Sequence, residues 1–88
     1  MRTGENVLGR DPAAAACFDF PSVSRRHARI VVTSDRVTVE DLGSKNGTLL
    51  RQQPITGPTP VVDRDELQIG SVQVIVRVLR GREATETL

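Results

Sequence analysis

Apolar and polar residues alternate along most of this chain, with the period of two that is typical of a β-strand. The segment HARIVVT places Ala28, Ile30 and Val32 on one side. The segment RVTVEDL repeats the pattern with Val37 and Val39, and the polar TSD between the two suits a tight connection, so we predict a β-hairpin. Three further segments predict strands: GTLL, DELQIG and VQVIVRVL, the last with Val74, Val76 and Val78 on one face.

Most glycine and proline residues lie between these segments, as in QQPITGPTP. The segment PAAAAC has helical propensity, but Pro12 before it and FDFP after it leave little length, so we predict a loop. Many short strands separated by turn residues predict an all-β sandwich. We expect one domain over residues 1–80 and a polar, frayed tail over residues 81–88.

The composition narrows the range of possible functions. A chain of 88 residues buries only about 60 to 65% of its unfolded surface, which leaves little room for an enclosed active site. Phe18 and Phe20 are the only aromatic residues, so an aromatic platform for nucleic acid bases is not expected. The single Cys17 excludes an internal disulfide, and with one histidine it leaves no plausible set of metal ligands. We therefore expect no metal and no cofactor, and we predict that Cys17 is a buried small apolar group.

Charge and hydropathy bear on location and partners. No apolar segment approaches the roughly 20 residues of a membrane span, and the start of the chain lacks a secretory signal, so we expect a cytoplasmic protein that does not bind membranes. Twelve basic and eleven acidic residues give a net charge of +1, which argues against a broad electrostatic grip on nucleic acid. Eleven of the twelve cations are arginine. Genome composition explains most of them, and bidentate recognition of carboxylate or phosphate is the alternative.

Three polar motifs lie beside the predicted strands. LGRD sets Arg10 directly after Gly9 at the end of a short apolar run, and SRRH (24–27) precedes the first hairpin strand. DLGSKNGT contains the pair Asn46-Gly47, a common hairpin signal because both residues tolerate positive φ. Turn chemistry or solvation explains each motif when it is taken alone.

Taken together and in this order, GR, SRRH and GSKNGT resemble the forkhead-associated (FHA) domain family. The resemblance extends from about Gly4 to Leu79, with about fourteen residues from Arg10 to Ser24 and about twenty from His27 to the Asn-Gly turn. The later segment ITGPTPVVDRDELQIG resembles the closing hairpin of the family. The resemblance implies an eleven-stranded β-sandwich of short antiparallel and mixed strands. Loops at one end would bind phosphothreonine in an extended peptide of a partner.

The resemblance also implies roles for individual residues. Arg10 would make the charged, bidentate contact with the phosphate, and Ser24 would donate its hydroxyl. Arg25 and Lys45 would add donors and positive charge. Asn46 would hold the peptide main chain through its side-chain amide, which both donates and accepts.

Four other residues are expected to support the site. His27 would hydrogen-bond within its loop and brace the Ser24 segment. A hydrolase would also need an orienting acid, an oxyanion hole and a cleft, so we do not expect an enzyme. Gly9 and Gly47 would allow tight turns and close approach, and Thr48 would supply a structural hydroxyl at a strand start.

The expected partner is a protein that carries phosphothreonine, the product of a Ser/Thr kinase, and the module is of a kind that is joined to larger regulatory proteins. Two other classes stay open. In one, the FHA fold binds an unphosphorylated protein through a sheet face. In the other, six cations form a nucleic-acid patch: Arg2, Arg10, Arg25, Arg26, Arg29 and Lys45. We expect Arg26 and Arg29 instead to be solvated or sheet-face cations.

Two departures from the family pattern matter. The chain opens only a few residues before ENVLGR, so Met1 to Gly4 cannot supply the additional first strand of related domains. The last strand, Val72 to Leu79, is then expected to lack a neighbour and to permit weak self-association. The segment LLRQQPI lacks the Asn-Gly turn that is common after NGT, so the length of the next hairpin is open.

Overall fold

The structure is a computed structural model that describes residues 3–78. The predicted tail (81–88), the domain boundary at residue 80, Met1 and Arg2 lie outside this range. Within it the regular structure is all β, and no helix has the length and apolar character needed to cross a membrane. Nine strands follow one another: β1 (Gly4–Gly9), β2 (Ala16–Cys17), β3 (Ala28–Val32), β4 (Val37–Asp41), β5 (Thr48–Leu50), β6 (Gln53–Pro54), β7 (Thr59–Pro60), β8 (Glu66–Ile69) and β9 (Val72–Ile75).

The first sheet has the strand order β2-β1-β3-β4-β7. β3 and β4 form the predicted antiparallel hairpin, with Ile30 opposite Val39. β1 lies antiparallel on the other side of β3, and β2 pairs with β1 in parallel. Leu8 is opposite Ala28, and Ala28 is opposite Asp41. The end of β1, the start of β3 and the end of β4 therefore lie together at the same end of the sheet.

The second sheet is antiparallel throughout, in the order β6-β5-β8-β9. Leu50 pairs with Gln53, so β5 and β6 are joined by a two-residue turn at the hairpin whose length the sequence left open. Both turn residues have positive φ, 50° at Arg51 and 67° at Gln52. A type I′ turn requires this backbone, and Asn-Gly adopts it with less strain than Arg-Gln.

The core lies between the two sheets and is purely aliphatic. Alternation sends Ala28 and Ile30 of β3 inward, while Arg29 lies on the outer face in ion pairs with Glu5 and Glu40. The buried apolar residues come from both sheets and from the loops beside them: Leu8, Val23, Ala28, Ile30, Val39, Leu50, Val61, Leu67, Ile69 and Val76.

Several local predictions were wrong. The segment PAAAAC is not entirely loop, since Ala16–Cys17 forms β2, and Cys17 is exposed rather than buried. Both result from pairing with the end of β1, which leaves β2 at the edge of its sheet. The turn-rich QQPITGPTP contains β6 and β7. Within the described residues the last strand ends at Ile75, and its predicted end at Leu79 lies outside them. Val76 still bonds to the main chain of Arg64 and Asp65, whereas the N–H of Val78 bonds to the Asp63 carboxylate.

In the described part of the chain β9 is an outer strand that pairs with β8 alone. Ile75 on this strand is 54% exposed. The open edge expected from the sequence is therefore present within residues 3–78. The same range holds nine strands against the eleven that the resemblance implies.

Candidate functional site

The loops that follow β1, precede β3 and follow β4 meet at one end of the sandwich, which we call the loop end. It comprises residues 9–12, 22–27 and 42–47. The N–H of Arg10 donates to the carbonyl of Ser24 at 3.0 Å, and that of Asp11 donates to the carbonyl of Arg25 at 3.2 Å. The first two loops therefore run side by side, which brings Arg10 next to Ser24 and Arg25.

Gly9 makes this close approach possible. It is buried, and a Cβ added to it would lie 2.0 Å from the carbonyl oxygen of Arg25 and 2.9 Å from that of Ser24. Any other residue would force the two loops apart. The close contact between the backbones of the first two loops thus explains why a glycine precedes Arg10.

His27 joins the second loop to the third. Its side chain is 0% exposed, its Nδ1 accepts the Ser24 N–H at 3.0 Å, and its Nε2 lies 2.7 Å from the carbonyl oxygen of Gly47. Because Nδ1 accepts this bond, Nε2 is the ring nitrogen that donates to the Gly47 carbonyl. The main chain of His27 also bonds to Leu8 and Leu42. His27, itself in the second loop, is thus bonded to the third loop and to the end of β1, where the first loop begins.

Ser24 and Lys45 are brought together by a main-chain contact. The N–H of Lys45 donates to Ser24 Oγ at 3.1 Å. Ser24 Oγ is thereby used as an acceptor, and its hydroxyl hydrogen remains available to an outside acceptor. The side chain of Lys45 is exposed at the same place.

Asn46 is only partly engaged. Its Nδ2 donates to the carbonyl oxygen of Ser22 at 2.8 Å. An amide group offers two N–H donors and a carbonyl acceptor, so within residues 3–78 one donor and the oxygen remain for another partner.

Two residues that sequence reasoning missed hold this arrangement together. The first is Asp41, whose carboxylate accepts the N–H and hydroxyl of Ser44 and the Thr48 hydroxyl at 2.7 Å. Burial raises the pKa of Asp41, but the hydrogen bonds from Ser44 and Thr48 outweigh it, so the pKa lies below the ordinary 3.8. The carboxylate therefore stays charged and closes the loop that carries Lys45. An Asp three residues before a Ser, in a Gly-rich turn, is the sequence signal for such a loop.

The second is Ser22. Its Oγ lies 2.6 Å from Ser71 Oγ and accepts the Ser71 N–H at 2.9 Å. The turn between β8 and β9 approaches so closely that a Cβ on Gly70 would lie 2.3 Å from the Ser22 carbonyl oxygen. The second sheet thus supports the loop that carries Ser24 and Arg25. No local signal reveals a contact between residues so distant in sequence.

Positive charge is exposed at the loop end. Arg10, Arg25, Arg26 and Lys45 are all exposed. The Arg25 side chain is 74% exposed, and its Nη2 lies 3.7 Å from a carboxylate oxygen of Asp11. An exposed pair at this distance is weak, so an incoming anion can displace it at little cost.

The structure therefore brings all five predicted ligands to the loop end: Arg10, Ser24, Arg25, Lys45 and Asn46. Gly9, His27, Gly47 and Thr48 lie directly beneath or beside them. Arg26 is solvated and Arg29 is on the sheet face. Residues 3–78 contain no group of three or more His, Cys, Asp or Glu side chains that could hold a metal ion.

A rigid sandwich that presents cations and free hydrogen-bonding groups on loops at one end is a loop-based binding module. The chain belongs to the FHA domain family, since the family model described as FHA domain matches residues 6–70.

Named relatives agree with this assignment. The chain is 34% identical over 67 residues to the glycogen accumulation regulator GarA of Mycobacterium tuberculosis, which covers 76% of this chain and 41% of GarA. It is 36% identical over 69 residues to an oxoglutarate dehydrogenase inhibitor of Corynebacterium jeikeium, covering 78% of this chain and 47% of that protein. The chain thus spans less than half the length of these two relatives.

Solved structures share the fold. One comes from a structural and functional analysis of phosphothreonine-dependent FHA domain interactions, with a TM-score of 0.85 and 31% identity over 91% of this chain and 82% of that one. Another is the FhaA FHA domain complexed with the intracellular domain of Rv3910, with a TM-score of 0.82 and 32% identity over 88% and 84% of the two chains.

Proposed function

We propose that this domain binds phosphothreonine in an extended segment of a partner protein. The observation that carries the proposal is the junction of three loops on buried His27, which sets Arg10, Ser24, Arg25 and Lys45 side by side. A phosphothreonine carries close to two negative charges at neutral pH and three acceptor oxygens. Such a group needs several donors from different directions, and adjacent loops supply them.

Each ligand has a role that its geometry supports. Arg10 and Arg25 offer guanidinium groups for charge-assisted, bidentate bonds to phosphate oxygens. Ser24 donates the hydroxyl hydrogen that its bond to the Lys45 N–H leaves free. Lys45 adds a mobile ammonium group, and Asn46 binds the peptide main chain with the amide groups that Ser22 does not use.

The expected affinity is modest. Two or three charge-assisted bonds contribute roughly 1.5 to 3 kcal/mol each, and ordering a flexible peptide offsets part of this, so the dissociation constant is on the order of micromolar. Reversible binding of this strength suits signalling.

The proposal extends to the setting of the domain. Its partner is the phosphorylated product of a Ser/Thr kinase, and the module acts in the cytoplasm within a regulatory protein. FHA domains are interaction modules, and the relatives described above are named as a regulator and an inhibitor. We infer that this domain, too, binds a partner without catalysing a reaction.

Against the nucleic-acid alternative, Arg29 is held on the outer sheet face by Glu5 and Glu40. Arg2 lies outside the described residues. The six cations therefore do not form one continuous patch within residues 3–78.

The test is capture from a degenerate phosphothreonine peptide library, with phosphoserine and unphosphorylated copies, by the wild type, Arg10→Ala and Arg36→Ala. Arg36 is also an exposed arginine, and it lies in the β3–β4 turn at the opposite end of the sandwich. We expect selective capture of phosphothreonine, lost on Arg10→Ala and retained on Arg36→Ala. Phosphate-independent capture that survives Arg10→Ala would favour a sheet-face partner instead.

A further inference from the structure

An open groove adjoins the proposed phosphate ligands. It has a volume of about 420 Å³ and is lined by Arg10, Asp11, Pro12, Cys17, Asp19 and Arg25. The main chain at residues 9–11 runs between two neighbouring segments that contribute to the lining. On one side, the N–H groups of Arg10 and Asp11 donate to the carbonyls of Ser24 and Arg25, and on the other side the carbonyl of Gly9 accepts the N–H of Phe18 at 2.8 Å. Arg25 and Asp19 therefore belong to opposite walls, with Arg10 between them.

The two carboxylates of the groove differ in how they are engaged. Asp11 is used within the protein, since its Oδ1 accepts the Ala13 N–H at 2.9 Å and its Oδ2 lies 3.7 Å from Arg25. Asp19 is exposed, and its carboxylate has no ion pair or hydrogen bond within residues 3–78. Of the two carboxylates, Asp19 is thus the one that is free within residues 3–78 to meet a ligand.

Phosphate binding changes the charge of the groove. Before binding, two arginines balance two aspartates. A phosphate dianion bound by Arg10 and Arg25 leaves the groove with an excess of negative charge, and it withdraws Arg25 from Asp11. A cationic group beside the phosphate is then attracted and an anionic one repelled, because opposite and like charges at short range act in this way at an interface.

We propose that the groove also binds a lysine or arginine side chain of the same peptide against Asp19, so that the domain selects basic phosphothreonine segments. This inference rests on the proposed function, because the phosphate fixes the peptide beside the groove. Exposed ion pairs are weak, so the preference for a basic over a neutral residue is roughly two- to fivefold in affinity. Discrimination against an acidic residue is larger, because attraction is replaced by repulsion.

The experiment is a positional scan. Peptides with a fixed phosphothreonine carry Lys, Ala or Glu at each of the flanking positions, and their affinities are measured by fluorescence anisotropy at low and high salt. The proteins are the wild type, Asp19→Asn and Asp35→Asn. Asp35 is a matched control, because it is an exposed aspartate in the β3–β4 turn whose carboxylate accepts only the Thr33 hydroxyl, at 3.2 Å, within the described residues.

We expect Lys to bind better than Ala, and Ala better than Glu, at one or two positions on one side of the phosphothreonine. This order of affinities should be lost in Asp19→Asn and retained in Asp35→Asn. It should also weaken at high salt, because salt screens exposed charges. Phosphate-dependent binding without a charge preference, or with one that Asp19→Asn leaves intact, would overturn this inference and leave the proposed function standing. Binding that ignores the phosphate in every arm would overturn both.

Discussion

Gly9 offers the sharpest test of how the loop end is built. In Gly9→Ala the new Cβ would begin 2.0 Å from the Arg25 carbonyl oxygen, whereas ordinary van der Waals contact starts at 3.4 Å. The atoms that the new Cβ would meet belong to the backbone of Ser24 and Arg25. The two loops must therefore separate by at least about 1 Å. The hydrogen bonds from Arg10 and Asp11, now 3.0 and 3.2 Å long, would then be broken.

The magnitude follows from these losses. Two broken main-chain bonds cost roughly 0.5 to 1.5 kcal/mol each, and residual strain adds to this, so we expect a destabilisation of about 2 to 4 kcal/mol. Arg10 and Arg25 would also move apart. Losing one charge-assisted contact to the phosphate should weaken phosphopeptide binding by roughly tenfold or more.

The assay is urea denaturation combined with titration of a captured phosphothreonine peptide. Gly57→Ala is the matched control, because a Cβ at Gly57 meets no atom within 4 Å. That variant should be neutral, or more stable by up to about 1 kcal/mol. If Gly9→Ala is as stable as Gly57→Ala and binds the peptide like the wild type, the account of two loops in contact through Gly9 is wrong.

Four further predictions concern stability, pH and association. Gln52→Gly should raise the free energy of unfolding by about 0.5 to 1 kcal/mol in urea denaturation, because Gln52 has a φ of 67° that glycine adopts without strain; an unchanged or lower stability would contradict this. The pKa of Asp41 is lowered on folding, so its contribution to stability is complete above the unfolded value near 3.8 and is lost as the pH falls through the folded value. Unfolding midpoints between pH 2 and 6 should therefore depend less on pH in Asp41→Asn than in the wild type. If both proteins show the same pH dependence, the role given to the Asp41 carboxylate in its loop is wrong. Calorimetric titration should show weaker phosphopeptide binding below about pH 6, where the phosphate loses its second charge, and equal affinity at pH 5 and 7.5 would refute a dianion-binding site. Light scattering should detect weak self-association through β9 that Gln73→Lys reduces, since an edge lysine opposes strand pairing; a strict monomer at millimolar concentration would exclude it.

Alternation was sufficient to predict the elements with a regular, one-sided pattern. The hairpin of β3 and β4 follows from Ala28, Ile30 and Val39, which the register places in the core. The two-residue strands did not reveal themselves, because two residues cannot display a period. Cys17 was misjudged for a related reason. Its exposure depends on a parallel pairing with β1 at a sheet edge, and only tertiary contacts specify that pairing.

The candidate site likewise contains some residues that the sequence predicts and others that it does not. The motifs that carry Arg10, Ser24 and Asn46 could be read from the chain because each stands in a recognisable order and spacing. Asp41 left only a local signal, its spacing to Ser44. Ser22 left none, because its importance comes from a partner that folding brings near. Ser22 contacts Ser71, which is 49 residues away in the sequence, and no local pattern links the two.

Two segments at or beside the loop end differ in how freely their length can change. Residues 42–47 are bounded by Asp41 and Thr48, which are bonded to each other, and by the link from Gly47 to His27. An inserted residue there would break these hydrogen bonds. Among the described residues, the stretch from Pro12 to Ala15 makes only local hydrogen bonds, such as that from the Ala14 N–H to the Asp11 carbonyl at 2.9 Å, yet it begins at the groove wall. Insertions in this stretch can therefore alter which peptides are accepted while the fold is kept, and it is the place to graft new specificity or a reporter dye.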